Sequence, residues 1–341
     1  MTTLYIKEQG AMLRRTGERL VVTKEKEVLE DIPILHVTQV VVMGNVQVTT
    51  PAVALLLQRD VDVVFLSSRG KYRGRLMSTG SRYAELRHAQ LQMLSNTGAV
   101  LGVAKAVVDG KLANQRALLQ QYYKSTGTAA LQRAAGHIER ARQQARHADN
   151  VDSLRGYEGT AGAAYFGALK ALIPQEWGFV KRIYHPPPDP INALLSLGYT
   201  LLLKDMTAAV QVVGLDPFLG FFHVLDYGRP SLTLDLMETF RPLVDAMVLD
   251  LVLDGRIQRK HFALSKRKGK QQAKLEDTAL QVYLRAYEAA LEARIYYPET
   301  GSRTSRRRCM ELQARELAQV VLGKRKAFRA LSADGPGRLN G

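Results

Sequence analysis

The feature that most constrains this chain is a change of regime near residue 80. Before it, short β-branched runs are broken by glycine. After it, apolar residues recur at three and four over long stretches. In the first part, 4–6, 19–23, 37–42 and 61–66 have the length and composition of strands. Gly10, Gly17, Asn45 and Gly70 punctuate them. One helix interrupts the strands, with Thr50 read as its N-cap and Pro51 as its first residue. From Arg82 onward, helices are expected over 81–96, 98–124, 127–147, 151–173, 190–213, 232–253, 276–293 and 306–323. These patterns predict an α+β chain: a small β-rich domain over 1–78, then a larger all-α domain over 79–341. The stretch 254–275 is expected to be a mobile loop.

The 341 residues carry a net charge of +16, which is a statement about partners rather than fold. A polyanion is implied, either nucleic acid or an anionic membrane. No apolar run is read as long enough for a membrane span, the N-terminus MTTLYIKEQG lacks a signal-peptide core, and no lipidation signal is present. Nucleic acid is therefore the expected partner. Cys309 is the only cysteine. It excludes an internal disulfide and a multi-thiolate zinc site, and it fits a reducing cytoplasm. The first 78 residues account for a net +3, so most of the charge lies in the helical part.

That charge is clustered. Arg256, Arg259, Lys260, Lys266, Arg267, Lys268, Lys270 and Lys274 share one acid-free segment. A second group, from Arg303 and Arg306 through Arg329, is diluted only by Glu311 and Glu316. Like-charge blocks repel themselves and are expected to stay disordered until a polyanion neutralises them. No zinc-finger or RNA-recognition pattern accompanies them, which favours backbone contact over base reading. The candidate DNA contacts are Arg241, Arg259, Lys260, Lys266, Arg267, Lys268, Lys270, Arg303 and Arg306. A solvated loop and a solubilising tail are the plainer readings.

Chemistry is concentrated in 231–253. Met237, Phe240, Val244, Met247 and Leu251 form an apolar stripe, and Asp235, Glu238, Pro242 and Asp245 follow helical spacing on another face. Asp235 and Glu238, three apart, project side by side and repel unless a cation lies between them, as in a site for a hard divalent metal. Pro242 cannot donate to the Glu238 carbonyl, so a bend is expected there. Ser231 is a candidate cap. A solvated acidic face explains the same acids. Upstream, Asp216 and Pro217 open a short turn that delivers His223. In 154–167, Gly159, Gly162 and Gly167 inside a helical pattern predict close packing against another helix. Glu158 there needs a metal or arginine partner. Asp189 and Pro190 open a further helix.

Four ordered motifs carry a resemblance. They are Tyr157-Glu158-Gly159-x-Ala161-Gly162, Asp189-Pro190-Ile191-Asn192-Ala193-Leu194-Leu195-Ser196-x-Gly198-Tyr199, Gly214-Leu215-Asp216-Pro217-x-x-Gly220-x-x-His223, and Ser231-Leu232-x-Leu234-Asp235-Leu236-Met237-Glu238-x-Phe240-Arg241-Pro242. In order and spacing they resemble the CRISPR-associated endonuclease and integrase family, the catalytic subunit of spacer acquisition. The resemblance implies a β-rich N-terminal domain that helps form a homodimer, and a helical catalytic domain. It implies Mg²⁺ or Mn²⁺ held by Glu158, His223 and Glu238, with Asp235 a further catalytic acid beside the metal. The family has Asp in some members where Glu238 stands. It implies a small CRISPR-associated subunit bridging two dimers. The reaction it implies is insertion of short foreign double-stranded DNA into the CRISPR repeat array, by attack of a DNA 3′-hydroxyl on a phosphodiester. A transposon-borne integrase or structure-specific nuclease of the same family is the alternative. The transposon-borne form usually carries an extra C-terminal DNA-binding domain, for which the residues after 329 leave little room. A non-catalytic DNA-binding scaffold would have lost one of the four site residues, and all four are present.

Overall fold

The computed structural model describes residues 2–25, 27–68, 72–76, 84–267 and 270–332. Gly70, Lys268 and the expected boundary at 78 lie outside them. The chain forms two compact units, Met1–Arg82 and Tyr83–Gly341.

The first unit contains β1 (Thr2–Ile6), β2 (Met12–Thr16), β3 (Arg19–Lys24), β4 (Glu27–Pro33), β5 (Val37–Met43), β6 (Gln47–Val48), α1 (Thr50–Gln58), β7 (Asp62–Leu66) and β8 (Tyr72–Leu76). One sheet has the order β1-β5-β7-β8, the other β4-β3-β2-β6. β5 and β7 pair in parallel, which needs a crossover, and α1 lies in it. Leu13, Leu20, Val40, Leu55, Leu56 and Val63 are fully buried between these elements. The cap of α1 is Thr49 rather than Thr50, and its hydroxyl makes no cap bond. β2, β4 and β8 are strands that the β-branched pattern does not mark, because Met12–Thr16 and Glu27–Pro33 are dominated by polar residues on their exposed faces.

The second unit is mainly helical: α2 (Ala84–Leu94), α3 (Thr97–Thr126), α4 (Ala129–Arg146), α5 (Val151–Leu169), α6 (Pro190–Val213), α7 (Ser231–Met237), α8 (Arg241–Leu253), α9 (Asp277–Glu292) and α10 (Arg306–Val321). Local signals set the ends. The Asn96, Asn150 and Asp189 side chains accept from Ala99, Ser153 and Asn192 N–H, capping α3, α5 and α6. Gly127 and Gly214, at φ +66° and +96°, terminate α3 and α6 in the left-handed conformation.

Several expectations are corrected. The 254–275 stretch is not a structureless loop. It contains a hairpin in which β9 (Phe262–Arg267) pairs with β10 (Lys270–Leu275), and Ala273 N–H donates to the Pro187 carbonyl at 3.0 Å. Alternating Phe262, Leu264 and Ala273 supplied too weak a period to outweigh the lysines. A second hairpin joins β11 (Arg294–Tyr297) to β12 (Ser302–Ser305). The second basic group is not a loose tail. Arg307 pairs with Asp205, Glu288 and Glu292, Arg308 and Arg315 with Glu311, and Arg325 with Glu299 and Glu316. The glycines of α5 do not receive another helix. A Cβ at Gly159 or Gly167 would meet nothing within 4 Å. Tight packing falls instead on Gly198 of α6, where a Cβ would strike Tyr283 and Val244. Finally, α6 is by itself long and apolar enough to span a membrane, with a mean hydropathy of 1.3, and 72% of that stretch is buried inside the protein.

Candidate active site

Pro242 has the expected consequence. The helix begun at Ser231 breaks into a 3-10 turn over Glu238–Phe240 before α8 resumes. Asn114 of α3 secures the break by donating to the Thr239 carbonyl at 2.7 Å and to the Leu331 carbonyl at 3.0 Å. Ser231 is the first helical residue rather than the cap. Its hydroxyl donates to the Val224 carbonyl at 2.9 Å and so ties down the preceding loop.

The acids of this segment are buried, not solvated: Asp235 is 0%, Glu238 3% and Asp245 1% exposed. They do not converge on one ion. Asp235 faces the loop, accepting N–H bonds from Phe221 (2.5 Å), Phe222 (3.0 Å) and His223 (2.8 Å). Its Oδ1 also lies 2.7 Å from His223 Nδ1. An acceptor-only carboxylate places the imidazole proton on Nδ1 and leaves the Nε2 lone pair outward. That nitrogen lies 3.7 Å from Glu238 Oε1. Gly220 lets the loop come this close, since a Cβ there would sit 2.8 Å from the Asp235 carboxylate and nearer still to the Ser231 backbone.

Glu238 turns the other way, toward α3 and α5. Lys111 Nζ sits 2.5 Å from Glu238 Oε2 and 2.5 Å from Glu158 Oε1. Arg241 Nε donates to Glu238 Oε1 at 2.8 Å. Glu158 therefore has a cationic partner, a lysine instead of the expected metal or arginine. Burial alone would raise the Glu238 carboxyl, but Arg241, Lys111 and His223 hold it at about 2. Burial would lower the Lys111 ammonium, yet the two glutamates keep it above its usual range. Lys111 carries a signal in the sequence. It lies on the buried stripe of α3 with Val103, Ala104, Val107, Val108 and Leu112, where a lysine has no place in a purely apolar core.

Beneath Arg241 lies a second polar layer. Its guanidinium stacks on Tyr199 at 4.6 Å, and the Tyr199 and Tyr165 hydroxyls donate to Asp245 at 2.5 and 2.8 Å. Burial pushes the Asp245 carboxyl up to about 6 despite these two donors. Among the candidate DNA contacts, Arg241 is committed to Glu238 and Tyr199. Arg259, Lys260 and Arg303 are exposed, and Arg306 is half-buried with Nη1 donating to the Ala290 carbonyl. Lys266, Arg267 and Lys270 lie in the β9–β10 hairpin; their side chains, like Lys268, are outside the described positions.

Among the described residues, no three His, Cys, Asp or Glu side chains stand at metal-ligand spacing. The donor chemistry nevertheless fits a hard divalent cation. A cation already bridges Glu158 and Glu238, in the form of the Lys111 ammonium. Among the described residues, Glu238 Oε2 is held by that ammonium. His223 Nε2 faces the same carboxylate.

Comparison with known proteins follows the same lines. The profile described as "CRISPR associated protein Cas1" matches residues 4–289. A CRISPR-associated endonuclease Cas1 of Thermus thermophilus is 36% identical over 324 residues, covering 94% of each chain. In fold, a casposase bound to integration product superposes with a TM-score of 0.84 at 21% identity, over 100% of this chain and 96% of that one. A chain of a Cas6-RT-Cas1–Cas2 complex gives 0.80 at 24% identity over 96% of this chain, which spans 36% of that longer one. The chain belongs to the CRISPR-associated protein Cas1 family.

Proposed function

We propose that this chain is the metal-dependent endonuclease and integrase of CRISPR spacer acquisition, inserting short double-stranded DNA into the repeat array by 3′-hydroxyl attack on a phosphodiester. The observation that carries the reading is the Glu158–cation–Glu238 bridge with His223 held beside it by Asp235. Glu158, Glu238 and His223 Nε2 would hold Mg²⁺ or Mn²⁺. Such an ion supplies charge neutralisation at the scissile phosphate and at the attacking and leaving oxygens.

The protein's own residues do the rest. Asp235 fixes the tautomer and direction of His223, leaving Nε2 available as a ligand or proton shuttle at the phosphate oxygens. It is a positioning residue, its oxygens being taken up by the loop and the imidazole. Arg241 anchors Glu238 against the Tyr199 ring, and Asn114 holds the turn that presents Glu238. No protein nucleophile is needed, because the attacking group is a DNA 3′-hydroxyl in integration and water in cleavage.

The protein is expected to work in the cytoplasm as a homodimer through the strand-rich unit, with a small CRISPR-associated subunit bridging two dimers. The relative's assembly with Cas2 supports that partner. The edge strand β4 with exposed Val28 (57%), and Leu35 beyond it (76%), supports self-association. Light scattering with and without residues 1–78 tests the dimer: a truncated chain that associates as well as the intact one refutes it. The function is tested by strand transfer with purified protein, its small partner, spacer-like duplex and repeat DNA. Product that requires Mn²⁺ or Mg²⁺ is expected, and product formed equally in chelator overturns the reading.

A further inference from the structure

Lys111 reaches from the middle of α3 into the one place where Glu158 and Glu238 meet. It is 8% exposed, and its ammonium takes one oxygen from each acid at 2.5 Å. A divalent ion bound by the same two oxygens would sit at about 2.0–2.6 Å from them, in the volume that Nζ fills. Sterically the two cations exclude one another. Electrostatics agrees. Glu158 and Glu238 are balanced by Lys111 and Arg241, and Asp235 behind His223 adds one negative charge, so a dication added without loss of the ammonium would leave an excess of +1 in a buried cluster. Arg241 cannot yield, being bonded to Glu238 and stacked on Tyr199. Lys111 can, because no stacking or second bond of the Arg241 kind pins its ammonium beyond the two carboxylates, and Glu158 opens to solvent with 23% of its side chain exposed.

We propose that Lys111 is a built-in occupant of the carboxylate site, and that divalent metal binds by exchange with its ammonium. The lysine keeps two repelling glutamates together in the metal-free protein and lowers their affinity for metal. The site therefore stays assembled at low metal and loads only at a concentration that wins the exchange. This rests on the assignment of Glu158 and Glu238 as metal ligands.

The test uses the full-length protein and Mn²⁺ alone, read by electron paramagnetic resonance of the free ion and by thermal unfolding. Lys111→Met, similar in shape but neutral, should bind Mn²⁺ at least about tenfold more tightly than wild type. It should also melt lower in chelator and gain more Tm from Mn²⁺. Equal or weaker Mn²⁺ binding in Lys111→Met overturns the exchange. Should that variant fail to fold, the wild type answers through lysine acylation followed by mass spectrometry. Lys111 should label faster with Mn²⁺ than in chelator, relative to the other lysines, and an unchanged rate overturns the proposal. Wild-type protein that binds no Mn²⁺, or Glu158→Gln and Glu238→Gln variants that bind it normally, would refute the metal site itself. Failure of the exchange is thereby kept separate from failure of the functional reading.

Discussion

Two buried ionic clusters in the helical unit look alike in composition and differ in what they can do. Around Asp205, Lys204 Nζ (3.0 Å) and Arg307 Nη1 (2.8 Å) meet Oδ1, and the Tyr287 hydroxyl donates to Oδ2 at 2.6 Å. Burial would raise this carboxyl, but Lys204 and Arg307 hold it below its ordinary range. Asp205 and Lys204 are 4% and 1% exposed, and α6, α9 and α10 all contribute. Around Glu238 two cations, Lys111 and Arg241, likewise meet the carboxylate, yet Oε2 rests on the ammonium, and His223 and Glu158 keep 17% and 23% of their side chains in solvent. The carboxylate of the first cluster is saturated and closed, with 2% of its side chain exposed although Arg307 keeps 22%, so it joins helices. The second has an exchangeable cation and an open side. Ion pairing does not separate a strut from a site; saturation and access of the carboxylates do.

The sharpest break in this comparison comes from single removals. Glu158→Ala, His223→Ala and Glu238→Ala should each lower strand transfer by about 10³-fold or more while leaving DNA binding near normal. Asp235→Asn should cost about 10–100-fold, as expected for a group that only orients another. Near-normal turnover in any two of the alanine variants would show that the site lies elsewhere. Asp205→Ala should act in the opposite manner. It removes the carboxylate that Lys204 and Arg307 share, and should destabilise the protein by about 3 kcal/mol, measured by denaturant unfolding. The fraction that remains folded should keep its rate per molecule.

The pH response sharpens the contrast further. Asp245 holds a proton in the folded protein up to about 6, whereas its ordinary value is 3.8. Folding therefore takes up a proton in that window, and this residue makes stability fall as pH rises from about 3.8 to 6. Asp245→Asn should remove that fall, worth roughly 2 kcal/mol across the window. Glu238, held at about 2 from an ordinary 4.5, has the reverse sign: its contribution is complete above 4.5 and is lost between 4.5 and 2. A wild-type stability curve with no difference from Asp245→Asn between pH 4 and 6 would show that the carboxyl titrates normally. The smallest effect is expected in the β9–β10 hairpin. Replacing Lys266, Arg267, Lys268 and Lys270 by Ala should weaken binding to all DNA sequences alike and flatten the slope of log affinity against log salt by up to about 0.9 per lost contact. An unchanged slope makes the hairpin a solvated element.

The long elements were legible because period and caps agree. α6 opens at Asp189-Pro190 and ends at Gly214, and both signals are local. The bend at Pro242 was legible for the same reason. What the chain concealed were features decided by distant partners. That Asp235 turns to the 221–223 backbone while Glu238, three residues on, turns to α3 depends on a loop and a helix remote in sequence. Lys111 is hard to read from the chain, because a lysine in a helix is ordinarily a surface residue and only its phase within the stripe of α3 marks it as buried. The glycines of α5 are ambiguous in the sequence, because a helix smooth enough to receive another helix is equally smooth when nothing lies on it.

Those glycines have a price. Gly156, Gly159 and Gly167 stand on open turns of the helix that carries Glu158, and a methyl group at each would meet nothing within 4 Å. Alanine in place of each should strengthen the helix by about 0.5–1 kcal/mol. The fold gains nothing from their absence of side chains, so an alanine-enriched α5 would give a hardier protein. If a DNA strand must lie flat along this helix beside Glu158, the same variants will bind DNA more weakly as they melt later. Melting temperature and affinity moving in opposite directions would make α5 a place where robustness has been exchanged for access.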